Sequence, residues 1–182
     1  KSKFLLSWNR PDGYPDLVEF QLKDYILPNQ KATFILSYFL KIPNSKFTKY
    51  GYSSDKKMVL KNWFLTPTRY ENKTFLKYNN LNLDDATNAL TDIELQITSS
   101  ENSLVISDLN QISKENNTYT FSGNNRLTNN LFIEKETNFM SFKNEFIEVT
   151  SNLEDKKVTD INKAILVDKV VNYVHENLGN YP

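Results

Sequence analysis

Apolar side chains fall on every second position through most of residues 4–150, and this period restricts the chain more than any other feature. Val18, Phe20 and Leu22 alternate with Glu19 and Gln21. Phe34, Leu36, Tyr38 and Leu40 share one face of a longer stretch, Ala32 to Lys41. Ile93, Leu95 and Ile97 alternate with Glu94 and Gln96. A period of two puts apolar groups on one side of an extended chain, so each segment needs a sheet to lie in and a layer to cover it. Further short strands are expected at Phe4–Trp8, Met58–Leu65, Thr74–Tyr78, Ser103–Ser107, Thr118–Ser122, Asn130–Lys135 and Glu145–Thr150. Many short strands at hairpin spacing predict a mostly β, antiparallel β-sandwich.

The turns have an unusual composition. The chain contains only 4 Gly, yet Asn is abundant, with pairs at Asn79-Asn80, Asn116-Asn117, Asn124-Asn125 and Asn129-Asn130. Asn tolerates left-handed backbone and closes turns, so it can take the place of the scarce Gly. Pro11-Asp12-Gly13 and Leu27-Pro28-Asn29-Gln30 read as turns, and residues 44–57 as a loop. Only the end changes period. From Asp160, apolar residues at Ile161, Ala164, Ile165, Val171, Val174 and Leu178 follow helical spacing. Thr159 or Asp160 can cap its start and Gly179 its end. The expected organisation is a sandwich over residues 1–158 and a linker helix over 159–182.

Composition removes several functions. There is one His, His175, and no Cys. A zinc site of the usual His/Cys type, a cysteine nucleophile and a disulfide therefore cannot be built within the chain. The 22 basic and 22 acidic residues cancel, which argues against a general nucleic-acid binder. No glycine-rich phosphate loop is present, and no stretch approaches the ~20 apolar residues of a membrane-spanning helix. His175 reads as a polar position on the outer face of the helix, because Val171 and Gly179 at i±4 offer it no partner. Asp84-Asp85 and Glu154-Asp155 lack calcium-loop spacing and read as solvated loop acids. Lys46, Lys49, Lys56, Lys57 and Lys61 form a local basic cluster that reads as a solvated loop. The aromatic belt at 47–78 is the candidate surface. Its leading members are Tyr50, Tyr52, Trp63, Phe64 and Tyr70, placed either to stack on a ligand or to pack between sheets.

The C-terminal phrase Leu178-Gly179-Asn180-Tyr181-Pro182 resembles the helix end that leads from the N-terminal β-domain into the catalytic domain of the aminopeptidase N family of gluzincin zinc metallopeptidases. Tyr50-Gly51, then Lys61-Asn62-Trp63-Phe64-Leu65-Thr66-Pro67, resemble that family's G…W-[FY]-P segment. Residues 27–38 and the strand at 92–98 are similar to further family segments in the same order. The resemblance implies a saddle-like β-domain without catalytic residues or metal ligands of its own, an excised fragment whose partner is its own zinc domain. Leu178, Gly179, Tyr181 and Pro182 would form the interdomain joint. Zinc would belong to the missing catalytic domain, and peptide substrate would lie at the domain boundary. The family's H-E-x-x-H, G-x-M-E-N and amine-anchoring T-Q-x-E phrases have no match. The wording is closest to bacterial members fused behind transporter segments, which implies a cell-envelope location with a membrane-attached parent. The rival reading is a stand-alone glycan- or peptide-binding module that uses the aromatic belt. A third is a structural envelope domain that assembles with a partner.

Overall fold

The computed structural model describes residues 6–53, 57–61, 63–77, 88–100, 102–135, 139–151 and 157–180. The chain is mostly β, every strand pair is antiparallel, and one helix closes it. The strands are β1 (Ser7–Asn9), β2 (Glu19–Gln21), β3 (Gly51–Tyr52), β4 (Met58–Lys61), β5 (Tyr70–Glu71), β6 (Thr74–Phe75) and β7 (Thr91–Thr98). They continue with β8 (Leu104–Ser107), β9 (Asn110–Glu115), β10 (Thr118–Arg126), β11 (Asn130–Glu134), β12 (Met140–Lys143) and β13 (Glu148–Ser151), and end in helix α1 (Asp160–Leu178).

Residues 1–135 and 136–182 form two compact units. The change from strand to helix falls at 158/159 in the sequence, whereas the compact units part at 135/136 because β12 and β13 group with α1.

In the first unit, β10 lies between β7 and β9, and a four-stranded sheet runs in the order β3-β4-β11-β8. The two sheets share one core. Tyr119 and Phe121 come from β10, Leu60, Val105 and Leu131 from the four-stranded sheet, and Leu109 from the turn between β8 and β9. Ile93, Leu95 and Ile97 of β7 pack against it, as their alternation requires. Burying one side chain such as Phe121 stabilises the fold by about 2–3 kcal/mol relative to leaving it in water.

The corner between β8 and β11 is tied by side chains. Fully buried Asn129 donates through Nδ2 to Asp108 Oδ1 and to Ser107 Oγ, both at 2.7 Å. The Asn130 backbone N–H donates to the same Asp108 oxygen at 3.0 Å, and its Nδ2 reaches Asp108 Oδ2 at 2.9 Å. These contacts satisfy the Asn130 N–H and the Asn129 and Asn130 amide donors where ladder bonding stops, while Asn129 Oδ1 is buried without a partner among the described residues.

The Asn-for-Gly substitution is visible in the backbone. Five of the seven described non-glycine residues with positive φ are Asn: Asn29, Asn72, Asn102, Asn116 and Asn125. Asn72 with Lys73 turns β5 into β6, and Asn116 turns β9 into β10. Gly51 is a position Asn could not fill. It has φ 117°, and a Cβ there would lie 2.1 Å from the Pro43 carbonyl oxygen. That closeness lets the next residue, Tyr52, donate its N–H to Pro43 O at 2.9 Å.

The expected loop at 44–57 holds the short strand β3, the strand expected over 58–65 ends at Lys61, and a third expectation is corrected outright. Residues 32–41 form no strand. Their alternation survives in exposure: Phe34, Leu36, Tyr38 and Leu40 are each 41–48% exposed, while Ile35 and Phe39 are far more open. Among the described residues, no backbone ladder joins this stretch to another strand. Its one tertiary hydrogen bond runs from the Leu65 N–H to Tyr38 Oη, at 3.2 Å. Alternation selects a face, but a strand also needs a neighbour with free backbone groups in register.

In the second unit, β12 and β13 form a hairpin that accompanies α1. Thr159 caps the helix, its side chain accepting from Asn162 N–H at 3.3 Å. At the other end Gly179 has φ 92° and donates its N–H to His175 O. Such an end favours glycine because a side chain is strained at this φ.

Candidate functional site

The structure distributes the aromatic belt over several environments. Trp63 is half-buried and packs against the core cluster, with its ring edge-on to Phe64 at 5.1 Å between centroids. Its Nε1 is buried with no acceptor among the described residues. Tyr50 is half-buried, immediately before β3, and the Lys61 ammonium of β4 sits 5.8 Å from its ring centre. Adjacent Tyr52 is exposed. Tyr70 is exposed on the β5–β6 ribbon, where its ring meets Phe75 edge-on at 4.9 Å. In the belt, Trp63 packs against the core with Phe64 edge-on to it, whereas the rings of Phe47, Tyr52, Tyr70 and Phe75 are open. The β3–β4 pairing, with Gly51 opposite Val59 and Tyr52 opposite Met58, brings Lys61 of β4 close enough for its long side chain to reach the Tyr50 ring. Tyr38, which the sequence assigned only to a strand face, is tied to the same region through Leu65.

The basic cluster is not uniformly solvated. Lys57 Nζ lies 3.5 Å from Glu134 Oε2, and Glu134 is 1% exposed. A carboxylate removed from water needs such a partner. Nothing in a local sequence reading links residues 57 and 134; only the pairing of β11 with β4 brings them together. Lys56, Asp84-Asp85 and Glu154-Asp155 lie outside the described residues.

A second concave surface belongs to the second unit. The hairpin and α1 enclose an open groove of about 480 Å³ with an apolar floor that includes Phe142, Ile147, Val149 and Val171. Lys143, Asp168 and Lys169 supply polar groups to its lining. Asn144 makes the hairpin tip, its Oδ1 accepting from the N–H groups of Phe146 at 2.9 Å and Ile147 at 3.0 Å. Its Nδ2 reaches across to Asp168 Oδ1 on α1 at 3.2 Å.

His175 is corrected here. It is not an isolated polar residue on an outer face: its ring stacks on Phe146, 4.0 Å between centroids and 24° between planes. The partner comes from the hairpin, which helical spacing cannot reveal.

The joint residues Leu178 and Gly179 lie at the exposed end of α1, while Tyr181 and Pro182 lie outside the described residues. Among the described residues no group of three or more His, Asp or Glu side chains is arranged to hold a metal ion. No helix there is long and apolar enough to cross a membrane. The concave and aromatic surfaces present packing and stacking groups.

One exposed ion pair has a clear electrostatic signature. Lys77 donates to Glu19, and this hydrogen bond holds the Glu19 carboxyl below its usual range, with a further contribution from Asn9. It ties β2 to the residues following β6.

No family model, curated protein or solved structure matches the chain.

Proposed function

We propose that this chain is the non-catalytic N-terminal β-domain of an aminopeptidase N-like zinc metallopeptidase. Its role is to wall one side of a peptide cleft and to support a zinc domain that carries the chemistry. The observation that supports this reading most is where the family-like phrases sit. Tyr50-Gly51 falls at the one glycine held both by positive φ and by close contact with Pro43. Trp63 and Phe64 occupy a packing position rather than an open platform. Leu178-Gly179 coincides with the last residue and the cap of α1, where a domain joint would emerge. These three phrases each coincide with a local structural requirement, whereas the similar segment at 27–38 forms no strand. Zinc would be held by the catalytic domain, and the parent would be a bacterial, membrane-attached envelope enzyme.

The decisive test is the coding sequence beyond the Pro182 codon. An H-E-x-x-H phrase within ~150 residues is expected, and a completed gene without one removes the proposal. In parallel, the isolated chain is incubated with aminoacyl-anilides and excess zinc. No turnover is expected, and metal-dependent turnover would show that the chain carries chemistry of its own.

A further inference from the structure

Two features of the first unit fit one another. The stretch 31–41 forms no helix or turn, has apolar residues at 34, 36, 38 and 40, and has no ladder partner among the described residues. Strand β7 is paired on one edge by β10 and has no strand on its other edge among the described residues. An open edge and an unpaired strand-former are the two halves of a β-augmentation site. We propose that residues 31–41 of one molecule add to the free edge of β7 in a second copy of this chain, giving a reciprocal two-fold dimer.

Charge and register both select this pairing. The stretch 31–41 carries Lys31 and Lys41 and no acid, while β7 carries the exposed Asp92 and Glu94 and no base. Pairing 31–41 with another copy of itself about Leu36 would set Lys31 against Lys41, a like-charge pair that disfavours it. Antiparallel alignment with β7 behaves differently. With Leu40 opposite Ile93, Tyr38 falls opposite Leu95 and Leu36 opposite Ile97. The apolar faces then coincide, and Lys41 falls opposite Asp92. Ile93, Leu95 and Ile97 already pack on the core, so the added strand would extend that apolar face. The site is occupied from a second molecule because the chain's own stretch is held elsewhere, by Tyr38 Oη at the Leu65 N–H and by Pro43 O at the Tyr52 N–H. Exchange of one such strand in each direction closes the assembly at two copies.

The absence of cysteine makes the test direct. In the proposed register Ser37 falls opposite Gln96. The Ser37→Cys, Gln96→Cys double variant should form a covalent dimer on mild oxidation, with the two new cysteines linked in peptide maps. A Ser37→Cys, Ser113→Cys control aimed at β9 should not. Unmodified protein should show a concentration-dependent dimer in sedimentation. Phe39 falls opposite Glu94 and is fully exposed in the monomer. Phe39→Glu should weaken the dimer at least tenfold, whereas Phe39→Lys should retain it, with equal thermal midpoints for the two monomers. A monomer at every concentration, a bridge formed only within one chain, equal bridging in the control, or equal loss in both Phe39 variants would each overturn the proposal.

Discussion

Strand β10 and the stretch 31–41 share a sequence pattern but not a fate. Both carry apolar residues at every second position, and both contain aromatics and β-branched residues suited to a pleated surface, although 31–41 also has Ile35 and Phe39 on its other face. β10 is paired on both edges, and its Tyr119 and Phe121 are almost wholly buried. The stretch 31–41 has no ladder partner among the described residues, and Phe39 is fully exposed. The difference is topological. Short hairpins bring β9 against β10, and a chain reversal through residues 99–117 returns β10 to β7. The stretch 31–41 is flanked by a turn at 27–30 and by Pro43, and neither side delivers an adjacent strand. Period two is a necessary signal for a strand, and a delivered neighbour supplies the rest.

The comparison is broken most easily by truncation. Phe121→Ala should cost about 4 kcal/mol in denaturant unfolding, through lost burial and the cavity left behind. Phe39→Ala should stay within about 0.5 kcal/mol at concentrations where the protein is monomeric, since it empties no packed site. Equal costs would mean that the two stretches are equally buried in solution.

Gly51→Ala tests how firmly the end of the unpaired stretch is anchored. The new methyl would meet the Pro43 carbonyl oxygen and sit at an unfavourable φ. A loss of about 2 kcal/mol or more is expected, together with faster amide exchange at Tyr52. Tyr38→Phe removes the acceptor for the Leu65 N–H. Being half-exposed, it should cost about 0.5–1 kcal/mol, with the change in amide exchange confined to Leu65.

The smallest effect belongs to Glu19. Its carboxyl is held below the ordinary value of 4.5 by Lys77. Stability from this pair is therefore present above that value and is lost as pH falls through the lower, folded-state value. Lys77→Met should move the Glu19 carboxyl titration upward, toward its ordinary range, with the Asn9 contribution left in place. It should also flatten the acid limb of the stability–pH curve slightly, because the pair is exposed and screened. An unchanged Glu19 titration would show that Lys77 does not hold it.

Much of the fold was legible before any coordinates. β7, β8, β10 and β11 lie within a residue or so of their expected starts, because each has at least two apolar residues at period two between clear turn signals. α1 was legible from its 3.6 period and both caps. β9 was not: Asn110–Glu115 holds one apolar residue, Ile112, which is exposed, so its strand form comes from bonding to β10. β12 is four residues long with only Met140 and Phe142 to mark it, and its partner β13 completes the signal. Of the candidate surface, the residues were legible and the division was not. Trp63 and Tyr70 are alike in sequence, yet one ring packs against the core and the other faces solvent.

The sequence by itself determined which faces are apolar, where the chain turns on Asn, where the helix starts and stops, and that no His/Cys metal site lies within these residues. Each follows from local sterics or from the inventory of side chains. Tertiary structure alone decided that Glu134 meets Lys57, that His175 stacks on Phe146, that Gly51 must admit the Pro43 carbonyl, and that residues 31–41 keep a strand's pattern without a partner. Those outcomes depend on groups brought together from distant positions or from the other side of a turn, and local periodicity carries no information about which partner arrives.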